Sequence, residues 1–303
     1  MQNPPRDDTP PHPILVLVER LDDCWARYRA ELKRTRRDFA DEYVHDLRVS
    51  IRRLIAVIDM GRSVVRQKQL KKTRRLLKSQ LDVFDALRDT QVQLTIVDEL
   101  QDEFPEIGPY RDYLRRREER LISRISRKIK TFRYGGLSQQ VSRLRKSLVS
   151  KDIPEAEIAV WSAADEAYAL VLQRKLLVRV DDMVTIHRLR LAFKQFRYRV
   201  ECLFPLLLNP PADLLRRLHE CQAMMGEIQD FETALQMLAE FTAKTGAELP
   251  ALVTRLNQVH AARIHDFVDG MPQIETMWRA TPLRKLPWLP RRHAKSLETR
   301  ETS

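Results

Sequence analysis

Two stretches of this sequence place the same anion-binding side chains at the same spacing. Val44 to Leu54 carries His45, Arg48, Arg52 and Arg53. Ile186 to Phe196, at an offset of 142, carries His187, Arg190 and Lys194, with Arg197 just beyond. A guanidinium offers a fork of donors that fits two phosphate oxygens, an ammonium is a compact point charge, and an imidazole can donate one more hydrogen bond. The chemistry such a set supports is the binding of an extended anion.

The spacing implies how these side chains are held. On a helix that turns 100° per residue, Leu47, Ile51, Leu54 and Ile58 share one face, and so do Leu189, Phe193, Phe196 and Val200. His45, Arg48 and Arg52 point away from that face, as do His187, Arg190 and Lys194, and Arg53 and Arg197 flank them on opposite sides. The span from His45 to Arg52 is about 10 Å at helical rise, enough for several successive phosphates. A polar helix face is ordinarily just a hydrated one. Hydrated faces, however, tend to mix signs at i,i+4, whereas these positions are all basic or histidine and the pattern recurs far along the chain.

A second element follows each copy. Leu77 to Asp89 aligns with Leu218 to Asp230 at an offset of 141, which one loop deletion accounts for. Ahead of the first, Lys71, Arg74, Arg75 and Lys78 lie within about 100° on one helix face; ahead of the second only Arg216 and His219 remain.

The elements around these motifs read as helices. With only seven glycines in 303 residues, and with apolar residues at three- and four-residue spacing nearly throughout, the expected class is all-α. Helices are predicted at 14–36, 40–60, 66–87, 89–103, 108–132 and 137–149, then at 155–180, 183–207, 211–228, 230–244, 248–269 and 272–280. Asp41 and Asp182 read as N-caps, Pro105 and Pro109 bracket a turn, and Tyr134-Gly135-Gly136 and Asn209-Pro210-Pro211 read as stops. The main boundary falls at Ser150 to Pro154. The expected organisation is an N-terminal segment 1–13, helical halves 14–150 and 151–281, and a loosely held tail 282–303.

Charge narrows the partner. Lys and Arg outnumber Asp and Glu by 54 to 42, a net charge of +12, which favours a polyanion. The excess is uneven: Arg27 to Lys78 has 17 basic against 6 acidic residues, Arg111 to Lys146 has 13 against 3, and Pro205 to Ala280 has 6 against 10. Three scattered cysteines, Cys24, Cys202 and Cys221, suit neither a disulfide framework nor a thiolate metal site and point to a reducing compartment. Met1 to Pro13 lacks the apolar run of a secretory signal, and Ile14 to Val18 and Leu203 to Leu208 are far shorter than the roughly 20 residues a membrane span needs. A cytoplasmic protein without a membrane partner is expected.

The doubled histidine-headed helix, its basic residues three and seven positions on, and the helix ends Leu87-Arg88-Asp89 and Ile228-Gln229-Asp230 resemble the CHAD proteins, named for conserved histidines in an α-helical domain. The resemblance runs from about Ile14 to Ala280. It implies two helical bundles related by a pseudo-twofold, with a basic cavity or channel between them that binds inorganic polyphosphate, and similarity to proteins found on polyphosphate granules. It assigns binding to His45, Arg48, Arg52, Arg53, Lys71, Arg74, Arg75, Lys78, His187, Arg190, Lys194, Arg197, Arg216 and His219. The chain departs from the family pattern where Ile55 and Gln195 stand in place of Arg. Asp85 stands in place of a glycine that Gly226 retains in the second half, and Gln229 in place of Arg.

Catalysis finds little support. No phosphate-cradling Gly-rich loop, Gly-x-Ser-x-Gly turn or His-Glu-x-x-His is present. Glu155-Ala156-Glu157-Ile158-Ala159 is the nearest string to the Glu-x-Glu-x-Lys motif of the triphosphate tunnel domain fused to some family members, and it lacks the lysine. His260 and His265, five apart, point about 140° away from each other on a helix. The expectation is a non-enzymatic binder without cofactor or metal, whose histidines gain protons near a polyanion so that binding strengthens at mildly acid pH. Two readings compete. One is a nucleic-acid or general polyanion module, for which the aromatic stacking platforms are sparse, Tyr43 and Tyr198 being the candidates. The other is an adaptor that brings granule-coat proteins to the polymer through the acidic second half or the tail.

Overall fold

The computed structural model describes residues 12–65, 68–132, 134–150, 153–207 and 210–279. Most of segment 1–13, the tail 282–303, and Lys151, Asp152 and Asn209 lie outside the described residues. The described residues form ten α-helices and no β-strand: α1 (Pro13–Thr35), α2 (Asp41–Val64), α3 (Lys68–Asp82), α4 (Asp85–Leu100), α5 (Gly108–Ile129), α6 (Tyr134–Val149), α7 (Ile153–Leu176), α8 (Met183–Leu203), α9 (Leu214–Thr245) and α10 (Pro250–Gly270).

Local chemistry accounts for most of the ends. Pro13 opens α1, and the His12 ring accepts a hydrogen bond from the Ile14 amide. Asp182 caps α8 by accepting from the Val184 amide, as its sequence position predicts. Asp41 is not a cap: Ala40 holds that position without a side-chain bond, and Asp41 lies in the first turn of α2, where it pairs with Arg88. Gly246 ends α9 at φ +69°, a conformation that favours glycine.

Several expected boundaries differ. The helices predicted at 66–87 and 89–103 part instead at Val83-Phe84, because Arg48 binds the Leu81 carbonyl at the end of α3 and Asp85 in the first turn of α4. The helices predicted at 211–228 and 230–244 are one continuous helix of 32 residues, since no proline interrupts it and Asp230 faces Arg190. The Tyr134-Gly135-Gly136 stop forms the first turn of α6, and the last predicted helix is a 3-10 turn, Met271–Thr276.

The larger apolar cluster draws on α1, α2, α3, α6, α7, α8 and α9, so helices from both sides of residue 150 share it. Leu47, Ile51 and Leu54 of α2 and Leu189, Phe193 and Phe196 of α8 are all fully buried in it, which confirms the apolar faces of the two motifs. Gly61 lets α2 approach α6 closely, its Cβ direction lying 3.0 Å from the Leu144 side chain. A smaller cluster, including Leu94, Leu114, Leu238, Phe241 and Leu252, joins α4, α5, α9 and α10. The length of α9 lets it serve both clusters.

A basic groove between α2, α3 and α8

The apolar faces of α2 and α8 fix where their cationic faces go. Both helices turn their leucine and phenylalanine side toward the common core, and they also pack on each other. Arg52 and Lys194 are thereby brought to one cavity of about 180 Å³, with Arg74 and Lys78 of α3 on its other wall. A larger cleft of about 610 Å³ shares Asp59, Arg74, Gln195 and Arg199 with this cavity and adds Lys71, Arg75 and Arg62, so the two form one open groove.

The electrostatics of the groove are those of a cation cluster short of counter-charge. Burial, followed by the fields of Arg52, Arg190, Arg48 and Arg197, lowers the Lys194 pKa from 10.5 to about 6. Burial and Arg48 bring Arg52 down to about 10. Burial lowers Arg190 as well, against the opposing pull of Asp230 and Asp89. Asp59 and Glu166 are the carboxylates on the groove lining, and the two oxygens of Asp59 are taken by Arg62 Nη1 at 3.1 Å and Arg74 Nε at 2.9 Å. Lys71, Arg75, Lys78, Arg52 and Lys194 form no ion pair among the described residues.

Most of the other motif residues have protein partners. The Arg48 side chain is buried against Leu81 and Asp85. Arg197 is buried, donates to Gln222 at 2.7 Å and Glu201 at 2.5 Å, and lies over the Tyr198 ring. Glu201 also receives His219 Nε2 at 3.2 Å and Arg53 Nε at 3.7 Å. These three side chains thus gather around one carboxylate, and Arg53, Glu201 and His219 line a separate cleft of about 330 Å³ beside Cys24 and Cys202. Arg216 is exposed and paired with Glu220 and Asp213. His187 Nδ1 lies 2.5 Å from Gln229 Oε1. His45 keeps an exposed edge, and burial of the remainder followed by the Arg88 charge holds its pKa below the ordinary value. Burial raises the Asp230 pKa to about 6 despite Arg190 and Arg88.

Arg62 and Arg199 line the groove although the motif pattern does not single them out. Arg62 lies eight residues beyond the end of the α2 motif, just over two helical turns. Arg199 sits five residues after Lys194, off the cationic face, and its buried Nε has no partner. Its one sequence signal is membership of the basic run Arg188 to Arg199. Among the described residues no group of three His, Cys, Asp or Glu side chains is arranged to hold a metal ion, and no helix is long and apolar enough to cross a membrane.

The CHAD domain profile matches residues 19–239, most of the chain and both motif copies. The chain belongs to the CHAD family. Solved structures agree on the fold. The crystal structure of the CHAD domain from the plant Ricinus communis superposes with a TM-score of 0.71 at 17% identity, over 91% of this chain and 96% of that one. PptA from Streptomyces chartreusis gives 0.60 at 17% identity, over 88% of this chain and 99% of its own. No curated protein matches the sequence. Two departures from the family pattern now have structural counterparts. Asp85, where a glycine is usual, is the partner of Arg48, and Gln229, where Arg is usual, is the partner of His187.

Proposed function

We propose that this CHAD protein binds inorganic polyphosphate along the α2/α3/α8 groove, without catalysing a reaction on it. The observation that carries the reading is the convergence of Arg52 and Lys194, one from each motif copy, with Lys78 on a cavity where none of the three has an ion-pair partner among the described residues. Cations drawn together and partly desolvated without counter-charge are unfavourable in the empty protein. A flexible chain bearing about one charge per phosphate relieves that repulsion through many charge-assisted contacts and releases its own counterions. Pseudo-twofold use of both halves, and residence on cytoplasmic polyphosphate granules, with or without granule-coat partners, follow from the same reading.

The lining distinguishes this ligand from single-stranded nucleic acid. Tyr198 is the one aromatic side chain on the groove among the described residues, and it is buried with Arg197 over its ring, so no open face is offered to a base. Tyr43 stacks with Arg34 away from it. The test is a competition titration: labelled long-chain polyphosphate is bound to the purified protein and challenged with unlabelled single-stranded DNA at equal phosphate concentration, at two salt concentrations. Polyphosphate is expected to be retained near physiological salt. Equal displacement by DNA with a steep salt slope would replace this reading with that of a general polyanion surface.

A further inference from the structure

The groove leaves unused the second basic run of the sequence, Arg111 to Lys146. On α5 that run sorts into two kinds of arginine. Arg111 and Arg115 pair with Asp98, and Arg117 faces Glu240. Arg116, Arg120, Arg124 and Lys128 instead follow one another at four-residue spacing, all exposed. None of these four forms an ion pair among the described residues; Arg120 donates only to the Arg116 carbonyl. Like charges four apart destabilise a helix, so the ladder works against the helix that carries it.

The ladder spans about 18 Å at helical rise. Its lower end meets α3: Arg124 and Lys128 share a cleft of about 330 Å³ with Ser79, Asp82 and Ala86. Lys78, next to Ser79 in the chain and about 100° around α3 from it, lines the groove. A single exposed ridge, on which Arg75 is also exposed, therefore separates the groove from the ladder. No large apolar side chain is exposed on α5, so this face lacks the hydrophobic stripe with which an amphipathic helix enters a lipid surface.

We propose that Arg116, Arg120, Arg124 and Lys128 form a second phosphate track, which takes the part of a long polyphosphate chain that leaves the groove over α3. The inference rests on polyphosphate as the groove ligand. Asp82 is the carboxylate the chain must pass at the ridge. A chain held in the groove presents its next phosphates to the ladder at high effective concentration, so only chains long enough to reach both sites gain from it.

The test compares tripolyphosphate with long-chain polyphosphate, titrated against the wild type and against R116Q/R120Q/R124Q/K128Q over a range of salt. The variant is expected to bind tripolyphosphate as the wild type does. It is expected to lose on the order of tenfold or more in affinity for the long chain, with a salt slope shallower by about 3, close to that for four contacts on a flexible strand. Removing like-charge repulsion should leave thermal stability unchanged or higher, and circular dichroism with a melting curve checks this. Unchanged long-chain affinity and slope would overturn the second track and leave the groove reading intact. Failure of the wild type to bind either polymer would overturn both.

Discussion

Arg48 of α2 and Asp85 of α4 form a 2.5 Å ion pair across the break between α3 and α4, and the arginine side chain is only 7% exposed. The same guanidinium group donates to the Leu81 carbonyl at the end of α3, which also accepts from the Phe84 amide. Arg48 thus holds three helices in register, although its sequence spacing is that of a ligand-binding residue. Asp85 is half exposed and stays hydrated when the arginine is removed. Arg48→Met should therefore lower stability by about 1.5–3 kcal/mol, the range for charge-assisted hydrogen bonds. Urea denaturation checks this; unchanged stability would return Arg48 to the set of free ligand cations.

The Glu201 cluster has the opposite consequence for Arg53 and His219. Each already has the Glu201 carboxylate as a partner, so Arg53→Gln and His219→Gln should each change polyphosphate affinity less than threefold, within the small energies of partly exposed pairs, about 1 kcal/mol or less. Arg52→Gln should cost more than either. Isothermal titration calorimetry on the three variants ranks them directly.

Two shifted groups predict the pH dependence of stability. Asp230 is raised from 3.8 to about 6, so the folded state holds the extra proton between those values and stability falls as pH rises through that window. Lys194 is lowered from 10.5 to about 6, so the unfolded state holds the extra proton above pH 6 and stability rises from there toward pH 10.5. Together they place a minimum near pH 6 in their contribution. Melting curves of the wild type and of D230N/K194M across this range should show the variant with the shallower dip.

Binding follows from the same lysine. Burial and the neighbouring arginines lower the Lys194 pKa in the empty groove, and a polyanion favours its charged form, so binding takes up a proton. Polyphosphate affinity should rise as pH falls from about 8 toward 6, and Lys194→Met should flatten that profile. Calorimetry in two buffers of different ionisation enthalpy reads the proton uptake separately from the affinity.

Asp165 ties the segment after α10 to α7. It accepts from Trp278 Nε1 at 2.9 Å and from Arg279 at 2.8 and 2.5 Å, and it is buried with Trp278 against Trp161. Asp165→Ala leaves a largely buried guanidinium without its partner and should destabilise the protein by about 3–5 kcal/mol, measured by urea denaturation, with little change in groove affinity per folded molecule.

The helical class and the apolar faces of the two motifs were legible because burial follows a 3.6-residue period wherever a helix meets a core. Asp182 was legible as a cap because the bond it makes is local. The parting of α3 from α4 was not, since it depends on Arg48, more than thirty positions away, nor was the continuity of α9, which carries no local signal. Within the site, spacing located the cationic faces of α2, α3 and α8 but not the carboxylates that answer them. Asp85 reaches Arg48, and the Gln229 amide reaches His187, only through tertiary packing, whereas Glu201 meets Arg197 at i,i+4 within α8, and Arg199 enters the groove from the flank of its helix.

The central claim is that free cations of α2 and α8, drawn together by the shared core, hold the polyanion. The most direct measurement is a titration of long-chain polyphosphate against R52E/K194E beside the wild type, with circular dichroism on both. Loss of binding by on the order of a hundredfold, with helicity and melting temperature preserved, is the predicted result for two attractive contacts turned repulsive. Wild-type affinity in a fully helical R52E/K194E protein would contradict the account.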